Sequence, residues 1–175
     1  MALTVETGSG SASSESYASV ADVDVYQSNR GVTLWATLST AEKEQALRRA
    51  TTYMEQVYRL RWKGLRTSIP QALSWPRYLA ERVDVGYYAP AGYYETNVVP
   101  SEVVAACCEL AFKAAFGDLS PDIGRVTKRE KVDVIEVEYE SGRAPFVRFR
   151  AVDNLLAPLL KGDASGSSFV QLSRA

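Results

Sequence analysis

The segment Arg59-Leu-Arg-Trp-Lys-Gly-Leu-Arg-Thr-Ser-Ile-Pro-Gln-Ala-Leu-Ser-Trp-Pro-Arg77 is where the helical pattern of this chain has to stop. A helix cannot continue through Gly64, Pro70 and Pro76, because glycine costs backbone entropy and proline lacks the N–H that a helix needs. The same nineteen residues hold two tryptophans and five cationic side chains. We therefore predict an ordered connection that is anchored by its tryptophans, rather than a regular element.

Two helices are predicted before this connection. Ser19 can cap a helix from Val20 to about Ser28, and Ser39 can cap a longer one. Glu42 stands in the capping-box position of the second helix, three residues after Ser39. Its predicted apolar stripe consists of Ala46, Leu47, Ala50, Met54 and Val57.

A third and a fourth helix are predicted after the connection. Pro100 and Ser101 open the third helix, Gly117 stops it, and a short fourth helix covers 152–160. Many residues on the apolar face of the third helix are small, so a second helix can approach it closely. We therefore place the third helix at the centre of a bundle. This face is lined by Val103, Val104, Cys107, Leu110, Ala111, Ala114 and Ala115.

A β-hairpin is predicted at about 132–151. Residues 132–140 alternate apolar and charged side chains, Ser141-Gly142 begins a turn, and 145–151 returns. The chain is thus divided into an N-terminal arm (1–18), a helical domain (19–162) and a C-terminal tail (163–175). The predicted class is mainly α, a small bundle of about four helices with a β-hairpin and extended N- and C-terminal arms.

Composition argues against catalysis and against cofactors. The chain has 175 residues, which suits one domain, and it contains no histidine, the commonest general base and metal ligand. Cys107 and Cys108 are its two cysteines and are adjacent, so a tetrahedral zinc site lacks ligands, and we expect two small buried thiols. We predict no enzyme activity, no metal, no cofactor and no membrane span, with the protein made and acting in the cytoplasm.

The charge pattern leaves two interpretations open. A net charge of −1 argues against a protein whose main task is to bind phosphates. The charges are unevenly distributed, since residues 1–24 carry carboxylates without a cation and 59–66 carries four cations without an anion. These blocks suit a subunit that meets differently charged neighbours, or they are solvated surface charge without a partner.

Cations interleaved with aromatic rings are typical of proteins that bind single-stranded nucleic acid by stacking. The segment quoted above fits this pattern, and its DNA-facing or stacking candidates are Arg59, Arg61, Trp62, Lys63, Arg66, Trp75 and Arg77. The alternative is structural: the two tryptophans are core anchors, and the arginine stems lie over them. Pro76 directly after Trp75 favours the structural alternative.

Two further groups are candidate contacts with other copies or partners. Tyrosine is enriched in protein–protein interfaces, and arginines on a half-exposed hairpin can serve the same purpose. The candidates are Tyr87, Tyr88, Tyr93, Tyr94, Arg148 and Arg150. The alternative for the tyrosines is a loop that folds its own rings onto the bundle.

The C-terminal tail ends in a β-prone apolar tetrad after a flexible spacer. This arrangement is what β-strand addition to the sheet of another chain needs. The candidate docking residues are Phe169, Val170, Gln171 and Leu172. A tail without function is the alternative.

Several motifs in order along the chain resemble one small phage protein family. Its members are often labelled DnaT-like single-stranded-DNA-binding proteins and lie among phage structural genes as head–tail connector (adaptor) subunits. The motifs are the opening 1–10, 16–26 with Gly31 and Trp35, 38–50, Tyr58-x-x-x-Trp62-x-Gly64, 71–77, Val99-Pro100 and the leucine-rich 155–160.

This resemblance implies a structural role in the neck of a virion, after assembly in the host cytoplasm. Copies of the chain would form a ring below the portal protein, with twelve copies by analogy with the family. The tail would dock on the portal, tail stopper or tail-terminator proteins would bind on the other side, and double-stranded DNA would pass through the lumen without specific contacts. The competing implication is a replication-type module that binds single-stranded DNA.

Overall fold

Four α-helices form the framework of the described chain. A computed structural model describes residues 2–82, 92–121 and 149–162, together with the backbone of 129–132 and 135–138. The helices are α1 (Val20–Ser28), α2 (Thr40–Tyr58), α3 (Ser101–Phe116) and α4 (Arg150–Leu156). Helix α3 contacts each of the other three and therefore lies at the centre of the bundle. The predicted mainly α class is confirmed.

The first two helices begin where their caps were predicted. The Ser19 hydroxyl accepts a hydrogen bond from the Asp22 N–H, and the Asp22 carboxylate accepts one from the Ser19 N–H at 2.8 Å. Ser39 and Glu42 form the same reciprocal pair at the start of α2. These bonds satisfy N–H groups that have no partner inside the helix, so each start is fixed locally.

The core is formed mainly by the facing stripes of α2 and α3. Four of the five predicted stripe residues of α2 are buried, whereas Val57 is 38% exposed. Val57 lies in the last turn of α2, where Tyr58 takes the buried position instead. On α3, Val104 and Ala115 are partly buried, and the rest of the predicted face is fully buried: Val103, Cys107, Leu110, Ala111 and Ala114.

Residues 59–82, here called the linker, connect α2 to the region before α3. The linker contains two short strands, β1 (Leu65–Arg66) and β2 (Arg77–Tyr78), which pair antiparallel. The remainder of the linker is irregular, as predicted. Helix α4 is followed by a 3₁₀ turn at Ala157–Leu159, because Pro158 cannot donate the next helical hydrogen bond.

The β-hairpin is present but lies earlier than predicted. Strand β3 (Arg129–Val132) pairs antiparallel with β4 (Ile135–Glu138). The predicted turn at Ser141-Gly142 and residues 145–148 of the predicted returning strand lie outside the described residues. This register places Arg129 opposite Glu138 and Lys131 opposite Glu136. Arg150, predicted on the returning strand, is the first residue of α4.

The N-terminal segment, predicted as an extended arm, is folded back onto the bundle. The Glu6 N–H donates to the Ser16 carbonyl at 2.8 Å, which closes a loop between them. The buried Glu6 carboxylate accepts hydrogen bonds from the N–H groups of Gly8, Gly10 and Ser11 and from the Ser14 hydroxyl. Burial alone would raise the pKa of Glu6, but these donors hold it below its usual value.

Gly8 is required where the N-terminal loop meets the segment before α3. Its φ is +107°, and a Cβ placed on it would stand 1.8 Å from the carbonyl oxygen of Asn97. A side chain at this position is therefore excluded by both backbone conformation and space. The loop is fixed by long-range packing, which the Ser- and Gly-rich composition of the segment does not reveal.

Candidate interaction surfaces

The two tryptophans of the linker are core residues. Trp62 and Trp75 have no exposed surface, and their rings meet edge to face with centroids 5.9 Å apart. Tyr58 packs against Trp62 at 5.9 Å and Tyr94 against Trp75 at 5.8 Å, so the four rings form one row. In this arrangement neither indole can stack on a nucleic-acid base. The structure thus matches the structural alternative for these two rings.

Three cations of the linker donate hydrogen bonds to backbone carbonyls: Arg77 and Arg66 to carbonyls of the linker itself, and Lys63 to a carbonyl in the turn after α4. The buried Arg77 guanidinium donates to the carbonyls of Lys63, Gly64 and Ser74 at 2.7, 2.7 and 3.0 Å. Arg66 donates to the Gln71 carbonyl at 3.0 Å and Lys63 to the Pro158 carbonyl at 2.9 Å. Burial lowers the pKa of Arg77 from its usual value. These cations hold an irregular backbone together, as buried carbonyls require partners.

A partly buried carboxylate ties the linker to the rest of the domain. Glu55 of α2 accepts hydrogen bonds from the Tyr17 hydroxyl, from the Ser74 hydroxyl at 2.7 Å and from the Ser74 N–H at 3.0 Å. The Tyr17 oxygen in turn accepts from the Ser74 and Trp75 N–H groups. Burial, and then the neighbouring Glu55 charge, raise the pKa of Tyr17 well above its usual value. N-terminal segment, α2 and linker thus meet at one polar cluster.

The outer surface of the linker is apolar where its strands pair. Leu65 and Tyr78 face each other across β1 and β2, and they are 57% and 42% exposed. Leu79 follows at 52% exposed, and Tyr93, bridged to Glu81, is 51% exposed. We call Leu65, Tyr78, Leu79 and Tyr93 the linker patch. Four exposed apolar side chains together are typical of a contact surface rather than of scattered surface leucines.

Leu79 has an unusual backbone conformation. Its φ is +55°, and among the described residues other than glycine it is the one with a positive φ. The left-handed conformation brings the Cβ of an L-residue close to the backbone and costs roughly 1–2 kcal/mol. It interrupts the alternation of β2, so that Tyr78 and Leu79 are both exposed. Such strain is found preferentially at functional surfaces.

A second apolar surface lies between α1 and α3. We call it the α1/α3 groove; its volume is about 430 Å³, and its lining includes Val25, Tyr26, Val104 and Ala105. Val25 is 61% exposed although it belongs to a helix that packs on the core. Asp22 and Arg30 also line the groove, and the Arg30 guanidinium lies 3.4 Å from the Tyr26 ring centroid. The groove is therefore an open apolar surface that also carries one charge of each sign.

A third surface, a cavity between the N-terminal segment and α2, has mixed charge. It has a volume of about 570 Å³ and is lined by Arg48 and Arg59 together with Glu15 and Glu55. Arg48 forms an ion pair with Glu15 at 3.0 Å. The carboxylates balance the arginines, so this cavity lacks the positive groove that tracks a phosphate backbone.

Groups suited to catalysis are sparse in the part of the chain that the structure describes. Within it no three His, Cys, Asp or Glu side chains come together as metal ligands, and no helix is long and apolar enough to cross a membrane. Cys107 and Cys108 are buried, as predicted, and burial raises the pKa of both thiols. A buried thiol with a raised pKa is a poor nucleophile.

A protein-family model matches residues 1–175, the whole chain, and describes the family as "Putative DnaT-like ssDNA binding protein". The chain belongs to this family. Comparison with curated proteins and with solved structures gives no match. The DnaT-like assignment confirms the family label that the motifs suggested, and the phage connector role stays a prediction.

The structure of this DnaT-like chain describes some of the predicted site residues. Tyr93 is exposed, Tyr94 packs on Trp75, and Arg150 is exposed at the start of α4. Arg59 is exposed, and Arg61 places its guanidinium over the Tyr58 ring at 5.8 Å. Seven predicted residues lie outside the described residues: Tyr87, Tyr88, Arg148 and the tail tetrad of Phe169, Val170, Gln171 and Leu172.

The sequence did not predict most residues of the linker patch or of the α1/α3 groove. Leu65, Tyr78 and Leu79 belong to the quoted segment or follow it directly, but no periodicity marks them as exposed. Val25 offers one signal, because Val23 and Gln27 are the buried residues of α1 and Val25 falls off that stripe. An apolar residue on the outer face of an amphipathic helix is a usable sign of a contact surface.

Proposed function

We propose that this DnaT-like chain is a structural subunit, a phage head-to-tail adaptor that assembles with copies of itself into a ring below the portal. Lateral contacts between copies close the ring, and tail proteins join on its far side. Double-stranded DNA passes through the lumen with weak, non-specific contacts. The copy number of twelve follows from analogy with the family.

One observation carries this proposal: the two linker tryptophans and Arg77 are buried and serve the fold, whereas the apolar side chains of the linker patch are exposed. A single-strand-binding surface would need the reverse arrangement, with rings and cations facing solvent. An exposed apolar patch on a folded chain favours contact with other protein chains.

The overall charge supports the same function. A net charge of −1 gives little attraction for a polyanion, and non-specific DNA binding derives mainly from phosphate neutralisation. A channel through which DNA slides requires weak contacts of this kind. An adaptor also needs several distinct surfaces, and the linker patch and the α1/α3 groove are two of them.

The experiment is reconstitution with a portal protein. We expect the purified chain to bind portal rings in co-sedimentation and to add a ring-shaped layer in negative-stain images. Deletion of residues 166–175 should abolish portal binding while the melting temperature is unchanged. Phe169→Ser with Leu172→Ser should act like the deletion, and Gln171→Ala serves as the matched control. Full portal binding by the deleted chain would contradict tail docking, and no binding by the intact chain would contradict the adaptor role.

A second candidate function is binding of single-stranded DNA, and the description of the family is what favours it. Because Trp62 and Trp75 are enclosed, the stacking rings would have to be exposed ones, and the linker offers Tyr78 and Tyr93. Arg59, Arg61 and Arg82 are the nearby cations that could follow a phosphate backbone.

A titration of labelled oligo-dT at low and physiological salt tests this candidate. Affinity that survives physiological salt and falls in Tyr78→Ala and Tyr93→Ala would favour single-strand binding at the linker. Affinity that disappears as salt rises would reflect counterion release alone and would leave the adaptor proposal in place. Phe116→Ala is a suitable control, because this ring is also exposed but lies at the end of α3.

A further inference from the structure

A short antiparallel ladder joins the start of the linker to the segment after α4. Trp62 forms an isolated bridge with Leu160, and the Lys161 N–H donates to the Arg61 carbonyl at 2.7 Å. Since the pairing is antiparallel, the residue before Trp62 lies opposite the residue after Leu160. Two cations that are far apart in the sequence, Arg61 and Lys161, are therefore neighbours in the fold.

Cations surround the buried pair of this ladder. The two bridged residues, Trp62 and Leu160, are buried and anchor the ladder in the core. The cations next to them are not enclosed: Lys161 is exposed, and Arg61 and Lys63 are partly exposed. A further exposed cation stands directly after the last residue of α2. We call these four residues the basic surface: Arg59, Arg61, Lys63 and Lys161.

The positive charge of the basic surface is largely uncompensated. Within the described residues, no carboxylate forms an ion pair with Arg59, Lys63 or Lys161. The Lys63 ammonium donates to the Pro158 carbonyl at 2.9 Å, and this neutral partner leaves the charge in place. A group of cations without counter-charges attracts an anionic partner.

The carboxylates close to the basic surface do not balance it. Glu55 lies one turn before Arg59 on α2, but its oxygens accept hydrogen bonds within the polar cluster at Ser74. Asp153 of α4 accepts a hydrogen bond from the Tyr58 hydroxyl at 2.7 Å. Two carboxylates beside four cations leave an excess of positive charge on this side of the linker.

The residues of the basic surface indicate what it binds. The rings beside it, Tyr58 and Trp62, are buried and cannot stack on a nucleic-acid base. Lysine and arginine without stacking rings bind phosphate groups, which duplex DNA presents at one charge per about 1.7 Å. Cations opposite each other in a ladder repel, and a polyanion lying across them removes this repulsion. The surface therefore fits the backbone of duplex DNA rather than the bases of a single strand.

A purely structural role explains only part of the basic surface. A cation at the C-terminal end of a helix interacts favourably with the helix dipole, which accounts for Arg59. Lys161 follows the 3₁₀ turn after α4, and its exposed side chain is not needed to hold the ladder, whose bond to Arg61 comes from the Lys161 backbone.

We infer that the basic surface contacts the phosphate backbone of double-stranded DNA, and that this side of each subunit faces the lumen of the ring. The inference rests on the proposed adaptor function and specifies where the subunit meets the DNA. Lys161 joins this surface only through the ladder, whereas linker carbonyls bind Arg66 and Arg77. A few phosphate contacts per subunit carry no base specificity, as sliding DNA requires.

The test is the salt dependence of duplex binding. Fluorescence anisotropy of a labelled duplex of about 20 base pairs is titrated with the full chain between about 50 and about 200 mM salt. Each phosphate contact contributes about −0.9 to the slope of log affinity against log salt, so four contacts weaken binding roughly a hundredfold over this range. Lys161→Gln and Arg59→Gln should each make the slope shallower by about 0.9, and the double variant by about twice as much.

Arg49→Gln is the matched control. Arg49 is an exposed cation of α2 that lies ten residues before Arg59, about 15 Å along the helix axis. Its removal should leave the slope unchanged, and Arg59→Lys, which keeps the charge, should bind like the wild type. All variants should keep the wild-type melting temperature, because the substituted positions are exposed. A lower melting temperature with an unchanged slope would show a structural role and overturn the inference.

The outcomes also separate this inference from the proposed function. If Lys161→Gln and Arg59→Gln bind duplex DNA and portal rings like the wild type, the inference is overturned, while the adaptor role stands. Duplex binding at the basic surface by a chain that does not bind portal rings would support the DNA contact and contradict the adaptor role. No duplex binding at about 50 mM salt would overturn the inference. Tighter binding of oligo-dT than of the duplex, lost in Lys161→Gln, would assign the surface to single strands and also overturn it.

Discussion

Helices α2 and α3 are stabilised mainly by contacts between near neighbours in the sequence. The linker, which leads from α2 to the region before α3, is stabilised mainly by contacts between residues far apart in the sequence. Helix α2 begins at the Ser39 cap, α3 begins directly after Pro100, and each buries one stripe, so neighbours three or four residues apart explain them. The linker has little regular structure, and groups distant in sequence hold it: Tyr17 and Glu55 bind Ser74, and Tyr94 packs on Trp75. An irregular segment becomes ordered when side chains replace the missing backbone hydrogen bonds.

The largest effect is expected when the aromatic row of the linker is broken. Trp75→Ala should lower the free energy of unfolding by about 3–5 kcal/mol, because it leaves a large cavity in the core. Denaturant titration measures this. Trp75→Phe should cost less, since the indole N–H lacks a hydrogen-bond partner among the described residues. A stable Trp75→Ala variant that has only lost DNA affinity would contradict the core role of this ring.

A smaller effect should follow when Arg77 loses its three hydrogen bonds to backbone carbonyls. Arg77→Lys keeps the charge but cannot reach three carbonyls, so we expect a loss of about 2–3 kcal/mol in unfolding free energy. Arg59→Lys is the control, because Arg59 is exposed at the end of α2. Equal stability of the two variants would mean that charge, rather than hydrogen-bond geometry, holds the linker.

For the helices, the corresponding test is removal of an N-terminal cap. Ser39→Ala should reduce the free energy of unfolding by about 1 kcal/mol, because the Glu42 N–H loses its acceptor. Thr40→Ala, one residue further along and exposed, should be close to neutral. The contrast with Trp75→Ala expresses the difference between local and long-range stabilisation, and urea denaturation of all three variants measures it.

Acid should weaken the N-terminal loop. The folded state holds the pKa of Glu6 below its ordinary value, so the charged carboxylate stabilises the fold above the pKa of the unfolded chain. This contribution is lost as the pH falls through the folded pKa. The melting temperature of the wild type should therefore exceed that of Glu6→Gln near neutral pH, and the gap should narrow below pH of about 4. A constant gap would mean that the Glu6 charge is not involved.

The smallest effect on stability is expected at Leu79. Leu79→Gly should be neutral or more stable by up to about 1 kcal/mol, because glycine relieves a left-handed leucine while it adds freedom to the unfolded chain. Leu65→Gly, equally exposed but on β1, should instead cost about 0.5–1 kcal/mol. Thermal unfolding of the two variants compares them, and a destabilised Leu79→Gly would show that the Leu79 side chain supports the fold.

Local patterns were enough for the helices, because capping and the 3.6-residue period involve near neighbours. The start of α1 at Val20, the start of α2 after Ser39 and the central position of α3 were all predicted correctly. A β-hairpin was predicted correctly, but its described strands, 129–132 and 135–138, begin before the predicted range of about 132–151. The pairing of strands depends on non-local register, which one strand's pattern does not specify.

The candidate surfaces were harder to predict than the fold. Trp62 and Trp75 with their neighbouring cations fit two interpretations in the sequence, and burial distinguishes them. The linker patch has no sequence pattern, because exposure of Tyr78 and Leu79 follows from one backbone conformation. Tyr93 was predicted as a contact and is exposed, although its place in the linker patch depends on the bridge to Glu81.

The sequence by itself determined the family, the mainly α class, the capped starts of α1 and α2 and the two buried thiols. Each of these depends on residue identity and on near neighbours. Tertiary structure alone decided that the N-terminal segment folds back, that the linker tryptophans face the core, and that apolar side chains face outward at the linker patch and the α1/α3 groove. Those features arise from contacts between residues far apart in the chain, and the free energy of such contacts depends on which groups become buried together.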